Sequence, residues 1–222
     1  MDGDDLDEHF ASCGRTPEEL ANCITHGLGA VLAAVGLAAL VFGSLARGTG
    51  VHVASSAVFG LTLVAMYASS TCYHAARNAA AKRVLRAIDH ASIFLLIAGT
   101  YTLFTLVTLR GAWGWSIFGV VWALALFGLL FEGTLRRRGT GYAVGLYLLM
   151  GWVAAAAIGP LFHALPRGGF ALLVGGGLAY SVGTLFYVAK RLPFHHALWH
   201  LAVLCGSSLH FFAVLLYVIP AG

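Results

Sequence analysis

Residues Phe194 to Val214 read FHHALWHLAVLCGSSLHFFAV. The stretch is apolar enough to lie in a lipid bilayer, yet it carries four histidines, His195, His196, His200 and His210. A hydrocarbon core of ~30 Å is crossed by about 20 helical residues, and this run, continued to Pro220, is long enough. Six more such runs precede it: Leu20–Ala46, Val51–Ala76, Val84–Leu109, Ala112–Glu132, Thr140–Phe162 and Gly168–Ala189, with His195–Pro220 the seventh. The whole composition agrees. Of 222 residues 59% are hydrophobic and only 10% charged, and the mean hydropathy of +0.85 lies far from that of a soluble domain. The predicted fold is all-α, a seven-transmembrane helical bundle.

The connections are short and marked by Gly and Arg (RGTG, RGAWG, RRRGTG, PRGG), which makes sequential helices antiparallel neighbours and leaves no room for a second domain. Residues 16–222 therefore form the membrane domain. The head, MDGDDLDEHF, is acidic and lacks the basic, apolar, small-residue order of a secretory leader, so residues 1–15 are expected to be a solvated acidic tail. Orientation follows from the Lys and Arg of short loops. With the N-terminus cytoplasmic, Arg15, Arg77, Lys82, Arg83, Arg86, Arg136, Arg137, Arg138, Lys190 and Arg191 lie inside, and Arg47, Arg110 and Arg167 outside. The expected topology is N-inside, C-outside. The net charge of +4 then reports membrane orientation, not nucleic-acid binding. Cys13, Cys23, Cys72 and Cys205 form no CxxC pair and read as small apolar residues, without a disulfide framework.

An ionisable residue inside a span is a functional hypothesis with a partner to be named. Span one enters as TPEELANCITHG, with Glu19, Asn22 and His26 on one helix face; span two ends in SSTCYHA, with Ser70 and His74 four apart. Span three begins RAIDHASIF, carrying Asp89 and His90, and span seven begins HHALWH, with His196 and His200 four apart and Ser207 two turns further on. All four sets fall at the ends that the loop charges place in the cytoplasm. They can meet in one layer of the bundle.

Two histidines at i and i+4 can turn ring nitrogens to one ion, as in helical zinc sites. His196 and His200 supply two ligands, and His74 a third, leaving the fourth position open as in catalytic zinc sites. Asp89 enters at the same depth and can accept a hydrogen bond from water on the metal, and Ser70 can orient a ligand or a substrate oxygen. Plainer readings stand beside these. HxxxH can be two interfacial histidines bonded to backbone or headgroups, and Asp89 can pair with Arg86 or a histidine. TPEE also reads as a helix start, with Thr16 as N-cap, Pro17 first and Glu19 closing a capping box. His210, ~15 Å beyond His200 by helical rise, falls outside the set. His9, His52, His90, His163 and His195 read as interface or loop residues.

The ordered set EELANCITHG, SSTCYHA, IDHASIFLLIAGTYT and HHALWHLAVLCGSSLHFFAV resembles the bacterial hemolysin III proteins. These belong with the progestin and adipoQ receptors, adiponectin receptors among them, and are distantly similar to alkaline ceramidases. The resemblance runs from Thr16 through the rest of the chain. It implies that His74, His196 and His200 match three zinc-binding histidines, Asp89 an aspartate near the zinc-bound water, and Ser70 the serine of the SxxxH motif. After GTYT such proteins often carry proline; this chain has Leu103, so no proline kink is expected above Asp89.

Three functions remain. One is a zinc-dependent hydrolase acting on lipid amides or esters from within the bilayer. Another is a non-enzymatic regulator or lipid sensor of the membrane in which zinc is structural, and the last a pore-forming hemolysin, for which the sequence offers no long amphipathic segment. Membrane lipid is the expected substrate or ligand. Two Lys against eleven Arg, with abundant Ala and Gly, point to a GC-rich bacterium, and hence to its inner membrane.

Overall fold

The structure, a computed structural model, describes residues 16–137 and 140–221. The acidic tail with His9, Cys13 and Arg15 lies outside the described residues, as does Arg138. Among the described residues there is no strand, and seven helices are long and apolar enough to cross a membrane: Pro17–Arg47, Gly50–Ala75, Ala79–Leu109, Gly111–Thr134, Gly141–Ala164, Arg167–Val188 and His195–Val218. These are spans one to seven.

Span one shows why the chain needs lipid. Asn22, His26, Gly29, Ala33, Gly36, Leu40 and Ser44 are buried at helical spacing, while Leu28, Val31, Val35 and Phe42 on the other side are each more than half exposed. The polar residues point inward and the aliphatic ones outward, the reverse of a soluble amphipathic helix. Thr16 caps the helix through its hydroxyl, which accepts from the Glu19 N–H at 3.2 Å, with Pro17 next. That half of the predicted capping box is present; the Glu19 side chain goes elsewhere. Spans one and two lie against each other at small residues. A Cβ on Gly29 would fall 2.6 Å from the Tyr67 ring, and one on Gly60 would fall 3.0 Å from the Leu37 Cα.

Two spans depart from regular helix. Span three widens into a π-helical turn over Phe104–Leu109, without proline. Threonines provide the cause: the hydroxyls of Thr100, Thr102 and Thr105 donate to the carbonyls of Leu96, Ala98 and Tyr101 at 2.7–2.9 Å, and such back-bonding bends a helix. Span five, expected as one run, is helical over Thr140–Trp152, tightens to a 3₁₀ segment at Val153–Ala157 and resumes at Ile158–Ala164. The Tyr101 hydroxyl holds this break, donating to the Gly151 carbonyl at 2.7 Å and accepting from the Ala154 N–H at 2.8 Å. Freed backbone groups cannot be left unpaired in a membrane interior. Span seven starts after Phe194, whose left-handed backbone (φ 55°, ψ 25°) turns the chain into the helix.

Candidate metal centre

The start of span one, the end of span two and the starts of spans three and seven meet at one end of the bundle. Contacts define the layer. His74 Nδ1 lies 2.7 Å from Glu19 Oε2, Lys82 Nζ donates to Glu19 Oε1 at 3.0 Å, and the His196 N–H donates to Glu18 Oε1 at 3.4 Å.

Within this layer His74, His196 and His200 each offer one ring nitrogen, and the three atoms lie within 4.8 Å of one another. The ring centroids are 4.7–5.1 Å apart. A tetrahedral ion at about 2.0–2.1 Å from each nitrogen needs them about 3.4 Å apart, so from within 4.8 Å the three must draw together to share one ion. The tautomers suit an ion. A carboxylate can only accept, so the proton of His74 sits on Nδ1, facing Glu19; its Nε2 is buried with no hydrogen-bond partner in the protein. His200 Nδ1 faces the Asn22 carbonyl at 3.2 Å and the Thr25 hydroxyl at 3.1 Å. The Thr25 hydroxyl proton is directed at the carbonyls of Ala21 and Asn22, so Nδ1–H of His200 is again the donor. Its Nε2 is left free to bind. A buried imidazole nitrogen without a partner, as His74 Nε2 is, costs about 1–3 kcal/mol, and a cation bound to it removes that cost. The donor set fits a divalent metal ion that accepts nitrogen ligands.

Asp89 and Ser70 line a cavity of about 120 Å³ together with His196 and His200. Ser70 is 1% exposed, and its hydroxyl lies beside the Asp89 carboxyl. Asp89 is buried; Arg86 is near enough to act on it electrostatically, but among the described residues no charged group contacts it. The ion-pair reading of Asp89 thus has no contact behind it here. The cavity runs from this layer past Ile97, Tyr101 and Trp152 to His210, and a second, more apolar one of about 90 Å³ adjoins it, sharing Tyr101, Trp152 and His210. His210 stands apart from the triangle, with Nε2–H donating to the Leu173 carbonyl at 3.0 Å. Ser207 pairs with the Tyr67 hydroxyl.

Sequence reasoning missed the burial of one neighbour and the contacts of another, His26, which it had placed in this layer. Lys82, counted there as a loop cation, is 3% exposed because span three begins at Ala79. Its spacing of seven from Asp89, through Arg86, places all three on one helix face and was the available signal. His26 stacks on His200 with ring centroids 3.4 Å apart and meets Tyr67 edge-on at 5.0 Å, a contact between spans that no spacing announces.

The sequence model of the family described as haemolysin-III related matches residues 15–211. Over 203 residues the chain is 43% identical to hemolysin-3 of Bacillus cereus, covering 91% of this chain and 93% of that protein. It is likewise 43% identical to the hemolysin-3 homolog of Bacillus subtilis (strain 168), over 91% of this chain and 95% of the relative. More distantly, it is 26% identical to the monocyte to macrophage differentiation factor of Homo sapiens, over 90% and 84% of the two chains. Glu19, Ser70, His74, Lys82, Asp89, His196 and His200 all fall inside the family match. The chain is an integral membrane protein and belongs to the haemolysin-III related family.

Proposed function

We propose that the protein is a zinc-dependent hydrolase that cleaves an amide or ester bond of a membrane lipid. The observation that carries this reading is the position of the histidine triangle: His196 and His200 form part of the wall of a largely apolar cavity into which Asp89 and Ser70 also face. A structural ion needs no such chamber. Zinc bound to His74, His196 and His200 would make a water acidic enough to attack near neutral pH and would polarise the scissile carbonyl.

The rest falls to the chain. The Asp89 carboxylate takes a proton from the attacking water and returns it to the leaving nitrogen or oxygen, so that the C–N or C–O bond breaks as the C–O bond to water forms. The Ser70 hydroxyl, beside Asp89 in the cavity wall, donates to the carbonyl oxygen of the bound lipid. The apolar walls around Ile93, Leu96 and Val203 hold acyl chain and keep bulk water out. The loop charges support a cytoplasmic position for this layer, and the Bacillus relatives support a bacterial protein, for which the cytoplasmic membrane is the proposed location.

The test is hydrolysis of a panel of ceramides, acyl amides and phospholipid esters by wild type and Asp89→Asn, with zinc measured in both. The account expects turnover that falls about 10²–10⁴-fold in Asp89→Asn at unchanged zinc content. Turnover that survives the change removes Asp89 from the mechanism. No turnover by a fully metallated wild type moves the centre to the regulator reading, in which the ion only ties spans two and seven together. Dye release from vesicles at equal protein, without lipid cleavage, would favour the lysis that the relatives' name denotes.

A further inference from the structure

Span one gives no ligand to the triangle, yet it grips His74. The two oxygens of Glu19 face two different donors: Oε2 takes the Nδ1–H of His74 at 2.7 Å, and Oε1 takes the Lys82 ammonium at 3.0 Å. Lys82 is buried, and its ammonium lies 5.3 Å from the centre of the Tyr73 ring. The ammonium thus enters the interior against a carboxylate that is itself only partly exposed.

We propose that Glu19 is a positioning residue of the metal centre, and that Lys82 anchors it: by holding the proton of His74 on Nδ1, Glu19 keeps Nε2 open to the ion. The inference rests on the metal reading above. Helix capping does not explain the side chain, because Thr16 accepts from the backbone N–H of Glu19, a bond that survives any substitution of the carboxylate. Outer-shell carboxylates of this kind fix the tautomer and orientation of a ligating histidine, and their loss typically lowers metal affinity about 10–100-fold.

Glu19→Gln makes the idea sharp. The amide has one acceptor oxygen where the carboxylate had two, and two donors compete for it. If the oxygen turns to Lys82, the NH₂ faces His74 Nδ1, the ring proton moves to Nε2, and the ligand nitrogen closes. Removing Lys82 as well frees the amide oxygen for His74. The measurement is zinc affinity by competition with a chromogenic chelator, for detergent-solubilised wild type, Glu19→Gln, Lys82→Met, the double variant and His200→Ala, with the visible absorption of the cobalt-substituted forms as a second readout of the ligand set.

Glu19→Gln is expected to bind zinc about 10–100-fold more weakly than wild type, and the double variant to recover a substantial part of that loss, with a cobalt spectrum closer to wild type than that of Glu19→Gln alone. Wild-type affinity in Glu19→Gln would overturn the proposal, as would a double variant weaker than either single change. A wild type that binds no zinc, or a His200→Ala that binds as wild type does, would instead overturn the metal reading itself.

Discussion

The three histidines that could hold an ion can be found by spacing, and their orientation cannot. His196 and His200, and Ser70 and His74, lie four apart, and helical geometry alone puts each pair on one face. What turns each ring is a group from another span: Glu19 for His74, the Asn22 carbonyl with Thr25 for His200. Such partners depend on how helix ends meet. At this scale His210 is the informative control. It is buried and held by the Leu173 carbonyl, outside the triangle, so His210→Ala should leave bound metal unchanged even if it lowers thermal stability. Loss of metal in His210→Ala, measured in protein that still elutes as a folded species, would show that the centre extends deeper than the three ligands.

Spans were legible as apolar runs, and their irregularities only in part. The break in span five is held by Tyr101 of span three, whose hydroxyl satisfies both Gly151 and Ala154; Pro160, which has no N–H to give the Ala156 carbonyl inside the 3₁₀ segment, was the signal available in the run Thr140–Phe162. Tyr101→Phe removes both bonds and strands a carbonyl and an N–H, at a cost of about 1–3 kcal/mol for each group left buried and unpaired. A lower thermal midpoint in detergent is expected, with metal content retained because Tyr101 lies just over three helical turns from Asp89 on span three. Span one against span two offers a second test. Gly29→Val drives a side chain toward the Tyr67 ring, which would lie 2.6 Å from its Cβ, and overpacking of this kind costs about 1–3 kcal/mol. Because Tyr67 packs edge-on against His26, and His26 stacks on His200, this variant should also bind metal more weakly. Wild-type stability in Gly29→Val would mean that the two spans can part there without loss.

For the molecule as a whole, seven spans put the two ends of the membrane domain on opposite sides, and the loop charges choose which. An alkaline phosphatase fused after Gly222 should be active in a bacterial host, since it folds outside the cytoplasm; activity of a cytoplasmic reporter at the same point would reverse the orientation. The bundle also explains why metal and fold should be linked. His74 closes span two and His196 and His200 open span seven, so an ion held by all three binds the folded chain better than the unfolded one and raises the thermal midpoint as its concentration rises. All of this stands on the triangle. The most direct test is elemental analysis of the purified protein and of three variants. The account predicts about one zinc per chain in the wild type and in His210→Ala, and little in His196→Ala or His200→Ala; zinc that stays at the wild-type level in both of the latter would contradict it.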